Sequence, residues 1–317
     1  MPKPTPGPGE VLVRMRAAAL NHRDHFIRQH LYPGIGFGTA LFADGVGVVE
    51  EVGPSCSAEL RGRRVIMTPS RGWQSDPRGP EDPSRFAVVG GARTYPDAGT
   101  ARHWAVVPEA ELELCPDHLS DAEAAAIPVV GLTAWRALVT KAGLGFDIDG
   151  NQTNTNNNND STKQEQEKKS ILITGIGGGV ALAALQFAVA LGCDVWVTSS
   201  SDEKIARAVA LGARGGASYR AHSADWEKKL AAQLPRERPL LDAVIDGAGG
   251  DALGRAAPRL LRPGGVVVSY GMTTGPRVDW PMAAVMRNQE LRGTTMVCYV
   301  IFRNHVVFGV PCISCAN

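Results

Sequence analysis

A cluster of glycines near the middle of the chain has the clearest chemical consequence. The segment ILITGIGGGVALAALQFAVALG, at 171–192, has the pattern of a buried strand, a tight turn and a helix. The turn contains Gly175, Gly177, Gly178 and Gly179. Without side chains, the turn brings bare N–H groups and a helix N-terminus close to a bound anion. Glycines also serve ordinary turns, but this order of elements favours a site for the diphosphate of a dinucleotide.

The end of the next strand predicts which dinucleotide binds. NAD-binding domains commonly place an acidic residue there, about 20 residues past the glycines, to bind the adenosine ribose. In DVWVTSSSDEK this position holds Ser199 and Ser200, with Lys204 one turn into the following helix. Hydroxyls and an ammonium group suit a 2′-phosphate, so the pattern favours NADPH over NADH. Helix capping by Ser201 or Asp202, with a solvated Lys204, is the alternative interpretation, and capping can coexist with phosphate binding.

These residues need a scaffold, and the second half of the chain predicts one. Apolar strands alternate with helices from residue 170 onward, which indicates a parallel sheet covered on both faces. We therefore predict a doubly wound α/β domain. Its predicted strands are ILIT, DVWVT, 215–218, LDAVID, GVVVS and ELRGTT, and its predicted helices cover 179–191, 202–211, 222–234, 250–261 and 281–288.

The first third of the chain has a different pattern. Apolar and polar residues alternate over short predicted strands, which Gly and Pro separate. In GEVLVRMRAAALN, Val11, Val13 and Met15 fall on one face of a half-buried strand. DGVGVVEEVG and GRRVIMT repeat the pattern, whereas 69–102 has almost no periodicity. This pattern predicts an antiparallel, partly open barrel.

Composition changes mark the predicted boundaries. The Ala-rich stretch from residue 121 predicts helix, broken at Pro128 and restarted after Gly131. We assign 1–125 to the barrel domain and 126–296 to the dinucleotide-binding domain. The Asn-rich segment 145–170 cannot bury enough apolar area to fold, so we predict a disordered insertion, and 297–317 is an atypical tail.

The overall composition excludes several classes of protein. The formal charge is +1, which gives no diffuse basic field to hold nucleic acid or an anionic membrane. No apolar run approaches the roughly 20 residues that a bilayer span needs, and the N-terminus lacks the apolar stretch of a signal peptide. We expect a cytoplasmic protein with a small-molecule substrate, and no nucleic-acid or membrane partner.

Several ordered motifs together resemble the medium-chain dehydrogenase/reductase superfamily, in its zinc-independent quinone oxidoreductase-like branch. They include GEVLVRMRAAALNHRDHFIR, DGVGVVEEVG, AAAIPVVGLTAWRAL, ITGIGGGVALAALQFA and LRPGGVVVSYG. The resemblance implies a GroES-like barrel for substrate and a Rossmann domain for coenzyme, and we expect a homodimer. It also implies a set of coenzyme contacts: Asn21, Thr133, Gly178, Gly179, Val180, Ser199, Lys204, Tyr219, Gly247 and Gly271.

The same resemblance argues against a metal site. Zinc alcohol dehydrogenases have a Cys ligand where this chain has Asn21, and a His-Glu pair where it has Asp44 and Gly45. The Cys-rich loop of those relatives is also missing, because 69–102 contains no Cys. His22, Asp24 and His25 are too crowded in sequence to suggest a metal site without a distant fourth partner. We predict that no metal is bound.

Without zinc, hydrogen-bond donors must stabilise the oxyanion or enolate that forms when hydride reaches an electrophilic carbon. Asn21 is the candidate donor, and His25 is a weaker candidate proton source. Phe26 occupies the place of a family tyrosine, and Asn21 could instead cap the turn that follows it. We expect an NADPH-dependent reductase of quinones, enones or related activated carbonyls.

Two alternatives remain open. The chain begins inside the family's pattern, without the first strand, and its ending replaces the usual last helix and strand. A barrel left incomplete in this way would give a dinucleotide-binding protein that cannot turn over substrate. A zinc-type alcohol dehydrogenase is the more distant alternative.

Overall fold

The computed structural model describes residues 3–144, 168–221, 225–250, 252–275 and 277–296. They form two compact units, one of residues up to Leu132 with Met296, and one of Thr133–Thr295. The division therefore lies seven residues after the predicted boundary at 125. Residues 126–132 belong with the first unit, where the Val129 N–H donates to the Asp44 carboxylate at 2.9 Å.

The first unit contains the predicted antiparallel strands. Its main sheet has the order β6-β1-β2-β3-β7, formed by β1 (Glu10–Ala19), β2 (Asp44–Val52), β3 (Arg64–Met67), β6 (Trp104–Pro108) and β7 (Leu112–Leu114). Val11 and Val13 alternate along β1 and pack in the core against Val49 and Val65. The aperiodic segment contributes a small hairpin-like pair, β4 (Ser70–Arg71) and β5 (Ala87–Val88).

Three α-helices follow the chain here: α1 (His22–Arg28) and α2 (Asp121–Ala125) in the first unit, and α3 (Pro128–Trp135), which begins in the first unit and ends in the second. A capping box between Ser120 and Glu123 starts α2. The predicted restart after Gly131 is wrong, because α3 already begins at Pro128 and runs through Gly131. Proline is favoured at a helix start, where its missing N–H has no intrahelical acceptor to lose.

The second unit is the predicted doubly wound parallel sheet. Its six strands have the order β10-β9-β8-β11-β12-β13, and each neighbouring pair is parallel. They are β8 (Ser170–Ile173), β9 (Asp194–Ser199), β10 (Gly215–Ser218), β11 (Leu241–Asp246), β12 (Leu261–Ser269) and β13 (Glu290–Gly293). The connecting helices are α4 (Gly179–Ala190), α5 (Asp202–Ala210), α6 (Trp226–Ala231), α7 (Ala252–Leu260) and α8 (Met282–Val285). Counted along the chain, the strand order is 3-2-1-4-5-6, that of a Rossmann fold.

Three predictions need correction or lie outside the described residues. The predicted insertion extends too far, since Ser170 is the buried first residue of β8 and its N–H donates to Asp242 Oδ2 at 2.8 Å. The rest of that segment, 145–167, and the tail 297–317 lie outside the described residues. The helix predicted over 281–288 shortens to the single turn of α8. No described helix is both long and apolar enough to cross a membrane.

Candidate functional site

The Rossmann sheet reverses its strand order between β8 and β11, and a buried polar cluster lies at the carboxyl ends of these strands. Thr174 follows β8 and donates from Oγ1 to Asp246 Oδ1, at the end of β11, at 2.6 Å. The Gly249 N–H donates to the other carboxylate oxygen at 2.8 Å, and Thr174 Oγ1 accepts from the Gly247 N–H at 3.3 Å. Burial raises the pKa of Asp246. Ligands of open α/β sheets bind at such a reversal point.

The glycine-rich turn occupies the same edge of the sheet, between β8 and α4. Gly175 and Gly177 have φ angles of 65° and 114°, which side-chain-bearing residues rarely adopt. The Ile176 N–H donates to the Thr198 carbonyl at 2.7 Å and anchors the turn to β9. Gly178 is the N-cap of α4 and Gly179 its first residue, and both are exposed. The first N–H groups of a helix have no intrahelical acceptor, so this turn can receive a phosphate.

The side chain of Lys204 lies across this turn. A Cβ added at Gly177 would come within 2.9 Å of Lys204 Cδ and 3.3 Å of its Nζ. The ammonium group therefore sits at the glycine turn although Lys204 belongs to the first turn of α5, where Asp202 and Glu203 are also exposed. A cation at this place complements a coenzyme phosphate.

The serines at the end of β9 have different environments. Ser199 is 2% exposed, and its hydroxyl donates to the Ile176 carbonyl and accepts from the Ser201 N–H, both at 3.3 Å. Ser200 is half-buried. Ser201 caps α5 by accepting from the Lys204 N–H at 3.4 Å, as the capping interpretation expects. Of the two serines predicted to bind the 2′-phosphate, Ser200 is therefore the more accessible to a ligand, whereas Ser199 stabilises the glycine turn.

The remaining predicted coenzyme contacts of this unit are spread around the same sheet. Tyr219 donates its backbone N–H to the Ser199 carbonyl at 3.0 Å, and its side chain is 43% exposed beside the β9 tip. A Cβ at Gly247 would lie 2.5 Å from the Tyr270 hydroxyl, and one at Gly271 would lie 2.5 Å from the Gly247 carbonyl. Both glycines thus allow the strand ends to approach closely. Val180 is half-buried in α4, and Thr133 is buried in α3.

In the first unit, Asn21 is held by two carboxylates. Its side-chain Nδ2 donates to Asp44 Oδ2 at 2.8 Å, and its backbone N–H donates to Asp24 Oδ2 at 2.8 Å. The second bond is one half of a capping box that starts α1. Asn21 therefore caps α1, as the alternative interpretation expects, with its side chain facing the Asp24 backbone N–H as the other half of the box. Its amide nitrogen also contacts Asp44 at the start of β2.

Asp44 is 1% exposed and accepts hydrogen bonds on both oxygens, from Asn21 and from the Val129 N–H. The Thr100 hydroxyl donates to the Asp44 backbone carbonyl at 2.7 Å and fixes the main chain there. Burial raises the pKa of Asp44 to about 7, against the opposing effect of its hydrogen bonds. Asp24 adds like-charge repulsion, and Arg23 partly offsets it.

The histidines of α1 are both exposed. The ring centroid of His25 is 5.9 Å from that of His22. Phe26 packs edge-on against His22 at 4.6 Å. Within the described ranges, no group of three His, Cys, Asp or Glu side chains is placed to hold a metal ion. The pair that occupies the place of relatives' zinc ligands offers an amide N–H and one carboxylate, which does not fit zinc.

Sequence reasoning missed two parts of these sites. Thr174 and Asp246 were not singled out, although Asp246 ends the predicted strand LDAVID and strand ends line such sites. The sequence marks Asp44 only as a position where zinc alcohol dehydrogenases have a residue of the His-Glu pair. No local pattern indicates its hydrogen bonds to Asn21 and Val129.

Comparison with known proteins identifies the family. Residues 7–117 match the alcohol dehydrogenase GroES-like domain, and residues 179–307 match the zinc-binding dehydrogenase family. The zinc-type alcohol dehydrogenase-like protein YogA of Leptosphaeria maculans is 50% identical over 309 residues, covering 96% of this chain and 80% of the relative. A quinone oxidoreductase of Pseudomonas aeruginosa is 30% identical over 271 residues, covering 86% of this chain and 67% of the relative.

A solved structure supports the same assignment. The crystal structure of an NAD-dependent alcohol dehydrogenase is 31% identical, with a TM-score of 0.75, and the match covers 94% of this chain and 80% of that one. Sequence and fold thus agree over both units, and the Rossmann unit has the strand order and glycine turn of a dinucleotide-binding domain. The chain belongs to the medium-chain dehydrogenase/reductase superfamily and is an oxidoreductase of that superfamily.

Proposed function

We propose that this oxidoreductase uses NADPH to reduce quinones, enones or related activated carbonyls without a metal ion. The observation that carries the coenzyme choice is the position of the Lys204 ammonium over the glycine turn, next to a strand tip without a carboxylate. The quinone oxidoreductase among the relatives supports the substrate class. The mismatch between zinc and the Asn21–Asp44 pair supports a metal-free reaction.

The residues of the Rossmann unit fit NADPH. Gly178, Gly179 and the start of α4 would bind the diphosphate, and Lys204 with Ser200 would bind the 2′-phosphate. Bound NADPH supplies a hydride to an electrophilic carbon. The buried bond between Thr174 and Asp246 holds the strand ends that position the coenzyme.

The first unit supplies polar groups for the developing negative charge and for the proton. With one amide hydrogen bonded to Asp44 and Oδ1 turned to the capping box of α1, Asn21 keeps its second N–H for another partner. A preorganised donor of this kind stabilises an oxyanion or enolate. His25, exposed on α1, is the weaker candidate for delivering a proton.

Coenzyme choice is tested by Lys204→Gln. Charge-assisted hydrogen bonds contribute about 1.5–3 kcal/mol, so we expect NADPH affinity to fall about tenfold or more while NADH affinity changes little. Lys228→Gln, an exposed lysine on α6, is the matched control. Titrations in which the unmodified protein binds both coenzymes equally would contradict the proposal.

Substrate class and metal independence are tested together. NADPH oxidation is measured over 1,4-benzoquinone, an enone and an aldehyde, and alcohol oxidation is measured with NAD, before and after treatment with chelator. We expect turnover of the quinone or enone that chelator leaves unchanged. The likeness to a zinc-type alcohol dehydrogenase-like protein and to an NAD-dependent alcohol dehydrogenase makes an alcohol dehydrogenase the second candidate. Alcohol oxidation that is lost together with stoichiometric zinc would establish that candidate instead.

We also propose a homodimer formed through the edge of the Rossmann sheet. Among the described strands, β13 pairs on one side only, with β12. Exposed apolar side chains lie in this strand and in the segment that precedes it in the chain, namely Leu291 in β13 and Met282, Val285 and Met286 before it. An unpaired edge with apolar neighbours favours association. Light scattering should give twice the chain mass, and Leu291→Lys should shift it toward the monomer.

A further inference from the structure

Asp44 is too deeply buried for its carboxylate to contact substrate or coenzyme directly. Asp44 is 1% exposed, and both of its oxygens already accept hydrogen bonds. Asn21 is only half-buried, and its side chain is the single one within hydrogen-bond distance of the Asp44 carboxylate among the described residues. Any influence of Asp44 on the reaction therefore passes through Asn21.

An ionised carboxylate only accepts hydrogen bonds, whereas a side-chain amide presents a donor on one side and an acceptor on the other. The 2.8 Å contact thus turns the NH₂ group of Asn21 toward Asp44 and Oδ1 away from it, toward the capping box at the start of α1. If Oδ2 of Asp44 carries a proton, the favourable arrangement is reversed, because the carboxyl then donates and the amide oxygen accepts. The two arrangements differ by a flip of the Asn21 amide.

We propose that Asp44 is a positioning residue whose ionised form fixes the orientation of the Asn21 amide, and with it the hydrogen-bonding group that Asn21 offers to the reactants. This inference deepens the proposed function and rests on it for the role of Asn21. Among the described residues, the charged groups near Asp44 are Asp24 and Arg23 of α1, and its uncharged partners are the Asn21 amide and the Val129 N–H of α3. Since burial places the pKa of Asp44 at about 7, both arrangements become accessible near neutral pH.

The first test needs neither substrate nor turnover. The side-chain amide of Asn21 is followed by NMR in the ¹⁵N-asparagine-labelled full-length protein from pH 5.5 to 8.5, with Asn21→Ala identifying the signal. We expect a shift of both amide protons with an inflection near pH 7 that is absent in Asp44→Asn. An inflection that survives in Asp44→Asn would show that Asp44 is not its source and would overturn the proposal. An Asn21 signal that does not change in the unmodified protein overturns the proposal.

The second test measures coupling in turnover. With NADPH and 1,4-benzoquinone at pH 8, Asp44→Asn should lower kcat/KM about tenfold. An effect of this size lies within the range of interaction energies found between residues in contact. The same substitution in the Asn21→Ala background should change kcat/KM less than about twofold, because the residue through which Asp44 acts is missing. An equal loss in both backgrounds would show a purely structural role and overturn the proposal.

The pH profile separates this proposal from the proposed function. The unmodified enzyme should lose kcat/KM as pH falls through about 7, and Asp44→Asn should not show this acid limb. A profile that is identical in both proteins counts against Asp44. Absence of any quinone or enone turnover counts against the proposed function instead, and the NMR titration still decides the orientation of Asn21.

Discussion

Asp246 in the Rossmann unit and Asp44 in the N-terminal unit are both 1% exposed, and burial raises the pKa of each. Asp246 is held by Thr174 and by the nearby Gly249 N–H, at the ends of adjacent parallel strands. Asp44 is held by Asn21 and Val129, which lie 23 and 85 positions away along the chain. The first carboxylate is positioned by adjacent strands of one sheet, the second by contacts from the starts of two helices, α1 and α3.

This difference shows how the two units build their functional edges. In the Rossmann unit, repeated strand-helix connections bring strand ends together, so a residue at the end of β11 must lie near the glycine turn. In the N-terminal unit, no repeat brings Asn21 to Asp44, and the contact depends on how α1 and α3 pack against the start of β2. Substitutions should therefore affect coenzyme binding in one unit, and protonation and orientation in the other.

The largest effect is expected for stability against pH at Asp44. Its pKa rises from the ordinary 3.8 to about 7 in the folded protein, so the folded state holds a proton that the unfolded chain releases. The unfolding free energy therefore falls as pH rises from about 4 to about 7, by on the order of 4 kcal/mol. Urea unfolding at several pH values should show this loss in the unmodified protein and not in Asp44→Asn. Asp279→Asn, at an exposed aspartate, is the control. If the free energy of unfolding changes with pH in the same way in all three proteins, the loss does not come from Asp44.

The next effect tests the backbone geometry of the glycine turn. Gly177→Val places a β-branched residue at a φ of 114° and drives its Cβ into Lys204. Strain of about 1–3 kcal/mol should weaken NADPH binding by about five- to a hundredfold in calorimetric titration. Gly192→Ala is the matched control, because Gly192 also has a positive φ but open space around it. Equal losses of affinity in both variants would show that the turn has no special role.

A smaller effect is expected at the point where the Rossmann strands meet. Thr174→Val keeps the side-chain shape but removes the hydroxyl that donates to Asp246 and accepts from the Gly247 N–H. The Asp246 carboxylate and the Gly247 N–H then each lose one hydrogen-bond partner. This loss should lower the unfolding free energy by about 1–2 kcal/mol. The comparison is Thr273→Val, whose exposed hydroxyl donates to the Gly247 carbonyl at 3.3 Å. If Thr174→Val is as stable as Thr273→Val, the hydrogen bond between Thr174 and Asp246 does not stabilise the strand ends.

The smallest effect is expected for the Asn-rich segment. Replacing residues 145–167 with a short Gly and Ser linker should change NADPH affinity less than about twofold, because loop-closure cost grows only logarithmically with length. The linker must stop before Lys169 and Ser170, which contact Asp242 at the start of the sheet. A large fall in affinity, with unchanged unfolding of the Rossmann unit, would assign the segment a part in coenzyme binding.

Sequence periodicity predicted the central elements closely. The strands at 215–218 and 241–246 have the predicted bounds, and the helix predicted at 179–191 ends one residue earlier. The end of α8 and the start of α3 were predicted less well, because short helices depend on packing and caps more than on propensity. The burial of Ser199 was also missed, since the last residue of a strand can face either side of the sheet.

The amino-acid sequence by itself determined the α/β architecture and the glycine turn. Each of these follows from local patterns, namely alternating strands and helices and a turn that only glycine fits. Tertiary structure alone decided that Ser199 supports the turn from within and that Asp44 meets Asn21 and Val129. Contacts between residues far apart in the chain leave no periodic trace, because they are set by the packing of whole elements rather than by their own neighbours.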